Sequence, residues 1–113
     1  MTGIDYPVVN VGGKDYTVRF SLRAEYLLSA NKISLQDLLP EGSPGRLNQR
    51  MVLWSHAVGD NFPDPLKSPS AYEWSQRITR AEWSAIDAAL DEALKKVEAE
   101  WKPATPPMLA AVG

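Results

Sequence analysis

The sequence predicts an α+β fold, mostly α, with an N-terminal β-hairpin followed by four to five helices. Three observations carry that prediction. Tyr16, Val18 and Phe20 alternate with Thr17 and Arg19 just after a Gly12-Gly13 pair, which is the pattern of a strand leaving a tight turn. Trp83, Ile86, Leu90, Leu94, Val97 and Trp101 recur at steps of three and four, the period of one helical face. The chain has 113 residues, a length that suits a single domain.

Taken in order, Tyr6 to Val11 is rich in β-branched residues and forms the first strand. Gly12-Gly13-Lys14-Asp15 makes the turn, where glycine supplies the positive φ that tight hairpins need. Two strands alone are marginal in water. The hairpin must therefore lean on helices or pair with another chain's edge.

Ser21 is placed to cap a first helix running to Ala30, with Leu22, Tyr26 and Leu27 as its inner stripe. Ser34 and Asp37 frame an S-x-x-D start for a short second helix, ended by Pro40. A third helix is predicted from Arg46 to Val58, with Leu47, Met51, Trp54 and Val58 on one face and Gly59 as the terminal glycine. Three prolines between Asp60 and Pro69 make a stiff surface loop. Ser70 to Ile78 forms a short helix carrying Tyr72 and Trp74. Thr79-Arg80-Ala81-Glu82 is a capping box that opens the last helix. Asp91 with Lys95 and Glu92 with Lys96 are i,i+4 pairs along it. Residues 1–102 read as one domain and 103–113, with three prolines, as a flexible C-terminal tail.

Composition narrows the function classes. Cysteine is absent, which excludes disulfides, thiolate metal sites and cysteine nucleophiles. The formal net charge is −2 and the pI about 5.3, with no dense basic cluster, which argues against nucleic acid. No apolar run approaches the ~18 residues of a membrane span. The first residues lack the basic leader and apolar stretch of a secretory signal, so a cytosolic protein is expected.

The chemistry-bearing residues are sparse. His56 is the only histidine, and beside Trp54 and Ala57 it reads as a boundary residue, not a general base. Asp60, Asn61 and Asp64 lack the alternation and central glycine of a calcium loop, so they read as helix-end and turn residues. Gly12-Gly13-Lys14 opens a strand and so is no phosphate cradle. Asp87 and Asp91, one turn apart, read as a solvated pair, and Arg46 with Arg50 as ordinary helix arginines. No catalytic residue, cofactor or metal ligand is assigned.

The four tryptophans and the last helix point to contact surfaces instead. Trp54 and Trp83 are expected mainly in the core, Trp101 at an interface, and Trp74 between the two. The last helix spans ~33 Å at ~1.5 Å per residue. Its apolar stripe either lies against the other helices or outruns them and stays bare for a partner. The candidate protein-binding set is accordingly Trp74, Trp83, Leu90, Leu94, Val97 and Trp101.

One family has a similar order of features. The hairpin VNVGGKDYTVRFS runs into LRAEYLLSAN, then ISLQDLL, another helix and an acidic, alanine-rich last helix. This resembles the small tail assembly chaperones of long-tailed bacteriophages and the related gene transfer agent tail proteins. Their G-x-x-Y-x-[VL]-R strand is matched by Gly13, Tyr16, Val18 and Arg19. The leucine and acidic pattern that follows is matched by Leu22, Glu25, Tyr26 and Leu27, then Leu35, Leu38 and Leu39. The likeness covers residues 8–101 as a pattern, without a sharp signature. The loop at 60–69 and the tryptophans have no counterpart in it.

The resemblance implies a non-enzymatic role in virion morphogenesis, in the host cytoplasm. Its partners would be the tape-measure protein and tail-tube subunits, with a homo-oligomer also open. Two alternatives stand beside it. One is a structural or adaptor subunit of the tail or head–tail connector. The other is a small DNA-binding regulator using the third and fourth helices.

Overall fold

The computed structural model describes residues 5–101, and of Trp101 the backbone alone. The chain runs β1 (Val8–Val11), β2 (Lys14–Thr17), α1 (Leu22–Ala30), α2 (Arg46–Ala57), α3 (Ala71–Arg77) and α4 (Arg80–Trp101). Short 3-10 turns lie at Gly59–Asn61 and Pro65–Lys67. The predicted α+β class, mostly α, with a leading hairpin, is the fold observed.

β1 and β2 pair antiparallel, Val8 with Thr17 through Val11 with Lys14. The connecting Gly12 and Gly13 have φ of 61° and 86°, the two positive values of a type I′ turn, which matches the right-handed twist of the strands. Val9, Val11, Tyr16, Val18 and Phe20 are buried, while Val8, Asn10, Asp15 and Thr17 face out. The period-two pattern thus puts one face of the hairpin on the helices.

α1 differs from expectation in its rotational phase. Its buried residues are Ala24 and Leu28, with Leu27 half-buried. Leu22 is 85% exposed and Tyr26 72%. The helix follows Phe20 into the core and packs on α2, with the small Ala24 fully buried. Hydropathy alone favours the larger side chains, and so selects the wrong face. Ser21 caps the helix as expected, its Oγ accepting from Ala24 N–H at 3.2 Å.

The helix ends in a Schellman turn. Ile33 N–H donates to Leu28 O at 2.9 Å and Lys32 N–H to Ser29 O at 2.9 Å, with Lys32 itself at φ 63°. Ile33 then packs back on the core that holds Leu28.

The short helix expected at 34–39 is absent. Ser34 Oγ accepts from Gln36 N–H at 3.2 Å, and Ser34 O from Asp37 N–H at 3.2 Å. These bonds make a turn that drops Leu35 into the core. Pro40 follows too soon for a second helical turn to form.

α2 is the central element, with Met51, Leu53, Trp54 and Ala57 buried and Val58 following. Leu47, expected on the inner face, is 62% exposed. Gly59 does not adopt the left-handed terminal conformation expected of it. It begins the 3-10 turn, and a Cβ there would lie 2.5 Å from Nη2 of Arg23. Its lack of a side chain makes room for that guanidinium.

α3 and α4 both start with capping boxes. Ser70 with Glu73 closes the first, and Thr79 with Glu82 the second, through bonds of 2.9 and 3.1 Å. Glu82 has a further task. Its other oxygen accepts from Gly12 N–H at 2.9 Å, tying the start of α4 to the tip of the hairpin. These backbone bonds, from Thr79 and then Gly12, hold the Glu82 carboxyl below its ordinary pKa.

Candidate protein-binding surface

The expected contact residues are mostly interior. Trp74 is 1% exposed, Leu90 0% and Val97 3%. Trp83 and Leu94 are half-buried and pack against the same core. Of the two readings of the last helix, the inward one holds as far as Val97. Ile86, Ala89, Leu90, Ala93 and Val97 form a continuous buried face, because α4 lies across both β1 and α2. Trp74, Leu90 and Val97 are therefore corrected from contact residues to core residues. The side chain of Trp101 lies outside the described residues.

Trp74 is held by an aromatic cluster. Trp54 and Trp74 meet edge to face, with centroids 5.5 Å apart and planes at 76°. Tyr16 packs edge-on against both, at 6.0 and 5.3 Å. Phe62 stacks on Tyr16 at 6.0 Å. Such pairs add about 0.5–1.5 kcal/mol each beyond area burial. The indole N–H groups of Trp54 and Trp74 are buried without an oxygen or nitrogen acceptor. Lys14 Nζ closes the cluster from outside, 5.2 Å from Tyr16 and 5.1 Å from Phe62.

The charged residues of α2 and α4 form a structural bridge. Arg50 is 2% exposed. Its Nε donates to Asp87 Oδ1 at 2.8 Å, and its Nη2 to Asp91 Oδ1 and Asp87 O, both at 2.9 Å. Nη1 is enclosed without an acceptor. Asp87 and Asp91 are thus not a free carboxylate pair, and Arg50 is not open to a phosphate. Sequence spacing showed each pair within its own helix, and the link between helices carries no local signal.

His56 is half-buried at the end of α2. Burial first, and then the neighbouring Arg23, hold its imidazole below the ordinary pKa. Arg23 Nη2 donates to the carbonyl of His56 at 3.3 Å, while its Nε donates to Asp60 at 2.8 Å. The hollow beside His56, about 230 Å³, is lined by Leu27, Leu66, prolines and serines, without a carboxylate. Ser55 Oγ donates to Pro69 O at 2.8 Å. The site has hydroxyls without an acid to orient the imidazole, so nothing here assembles a triad. Among the described residues no group of three or more His, Cys, Asp or Glu is placed to hold a metal ion. No helix among them is long and apolar enough to cross a membrane.

What the surface does offer is apolar. Leu22 and Tyr26 lie one turn apart on α1, exposed. Leu47 on α2 and Tyr72 on α3, 62% and 71% exposed, flank a groove of about 200 Å³ whose lining also includes Met51 and Ala71. Leu66, 72% exposed, stands over the His56 hollow. Sequence reading missed Leu47 as a surface residue because its spacing to Met51 fits a core face. No protein-family model, curated protein or solved structure matches the chain.

Proposed function

We propose that the chain is a non-enzymatic tail assembly chaperone of a long-tailed bacteriophage. In this reading it binds the tape-measure protein, or tail-tube subunits, in the host cytoplasm. The reading starts from the hairpin and leucine pattern at Gly13, Tyr16, Val18 and Arg19 and at Leu22 to Leu39. The observation that carries it is the α2–α3 groove flanked by Leu47 and Tyr72, which leaves two large apolar side chains outside the core. A long helical partner presents apolar side chains one turn apart, and such a groove suits them. Leu22 and Tyr26 on α1 are further exposed apolar side chains. The binding surface in this proposal is α1 and the α2–α3 groove, in place of α4.

Co-expression with the tape-measure protein of the same genome tests it. The expected result is a complex on pull-down and a gain in soluble tape-measure protein. A Leu47→Asp, Tyr72→Asp double variant should lose both while keeping its fold. No complex and no gain in solubility would overturn the reading. Abundant copies in purified virions would instead favour the structural or adaptor subunit, and a salt-sensitive gel shift the DNA-binding regulator.

A further inference from the structure

The two outer edges of the hairpin differ. Alternate residues of an antiparallel strand turn their backbone groups toward the partner strand or away from it. Pro7, Val9 and Val11 turn inward; Pro7 O accepts from Val18 N–H at 2.9 Å. On the β2 side Thr17, and Arg19 just beyond the strand, are already engaged, and the strand carries the charges of Lys14 and Asp15. Asn61 Oδ1 accepts from Thr17 N–H at 3.0 Å, and Asn61 Nδ2 donates to Thr17 O at 2.9 Å. Arg19 N–H donates to Ala57 O at 3.2 Å.

On β1 the outward residues are Val8 and Asn10. Among the described residues no donor or acceptor meets their backbone groups. The usual guards of such an edge are charge, a bulge or a proline that removes an outward N–H. β1 reads Val-Val-Asn-Val without a charge, and Pro7 turns inward. Val8 is 58% exposed.

We propose that β1 pairs antiparallel with β1 of a second copy about a two-fold axis at Val9. The sheet then has four strands in the order β2-β1-β1-β2. In this register Val8 of each copy lies opposite Asn10 of the other, and each such pair exchanges two backbone hydrogen bonds. An uncharged strand brings no like charges together when it meets itself. The edge of β2, engaged at Thr17 by Asn61 and guarded by the charges of Lys14 and Asp15, stops growth at two chains, so the association is isologous and does not run on into a fibre. The edge is short, and a stable complex usually buries ~1,200 Å² or more. The dimer is therefore weak, dissociated at roughly 10 µM and well populated near about 1 mM. This inference does not rest on the tail-assembly reading.

Sedimentation velocity and amide hydrogen exchange on the full chain across that range test it. The expected result is a doubling of mass, with the Val8 and Asn10 amides gaining about tenfold protection as dimer forms. The Val9 and Val11 amides should be protected throughout. Val8→Pro removes one outward N–H and no hairpin bond, and should stay monomeric. Protection at Val9 and Val11 reports that its hairpin is intact. Should that variant fail to fold, Val8→Lys decides: the N–H is kept, and the added charge should weaken the dimer most at low salt. A monomer at every concentration, or a folded Val8→Pro or Val8→Lys that dimerises like the parent, would overturn the proposal.

Discussion

Removing the two carboxylate acceptors of Arg50 should cost more than removing Arg50 itself. The Arg50 side chain is 3% exposed, whereas the Asp87 and Asp91 side chains are 47% and 58% exposed. An Asp87→Ala, Asp91→Ala variant leaves a buried positive charge with only the Asp87 carbonyl to meet it. Stripping one side of a buried pair usually costs ~3–5 kcal/mol. Because the carboxylates are half in water, that figure is reduced here to about 2–3 kcal/mol. Arg50→Met leaves two carboxylates that water can solvate, and it also removes the orphaned Nη1. Its cost should stay within about 1 kcal/mol. Urea denaturation followed by tryptophan fluorescence gives both values, and an unchanged m confirms that the same surface unfolds. The double variant should melt roughly 10 °C lower. An Arg50→Met variant that is the less stable of the two would refute the desolvation argument and make the bridge a net source of stability.

Other outcomes follow from single contacts. Asn61→Ala removes three hydrogen bonds, two to Thr17 and one to Val58 O, and should cost about 1–3 kcal/mol; faster exchange of the Thr17 amide would place the damage at the β2 edge. Gly59→Ala puts a methyl against Arg23 and should break the Arg23–Asp60 pair, seen as a loss of about 0.5–2 kcal/mol in chemical denaturation. His56 has a lowered pKa in the fold. The unfolded chain therefore binds the proton first, and stability should fall as pH drops below ~6.5, levelling once pH passes below the folded value. His56→Gln should flatten that part of the curve, and an unchanged slope would show that another group governs it. Trp74→Ala should cost ~3–5 kcal/mol by leaving a cavity among Trp54, Tyr16 and Phe62.

The parts of the fold that were legible are those set by local chemistry. Gly12-Gly13 and Thr79-x-x-Glu82 act within a few residues, so the hairpin and the start of α4 could be read from the sequence. The phase of α1 could not, because the buried position falls to the small Ala24 while the larger Leu22 and Tyr26 stay outside. The segment at 34–39 carries a helix-start signal, yet Ser34 spends its oxygens on a turn and Leu35 is drawn inward. Arg50 looked like a surface arginine because its acceptors lie on another helix, 37 and 41 residues away. The apolar stripe of α4 was not recognised as core for the same reason. A long apolar stripe marks a helix that meets something, and here α4 meets its own β1 and α2. Leu47 and Tyr72 become neighbours only when α3 docks on α2.

The edge-to-face meeting of Trp54 and Trp74 gives the protein its own optical reporter. Two indoles held 5.5 Å apart at a fixed angle couple their electronic transitions and split them into a paired circular dichroism signal. That signal exists only while α2 and α3 are joined, whatever the helix content. Loss of tertiary order with helices retained would therefore be visible without any attached dye.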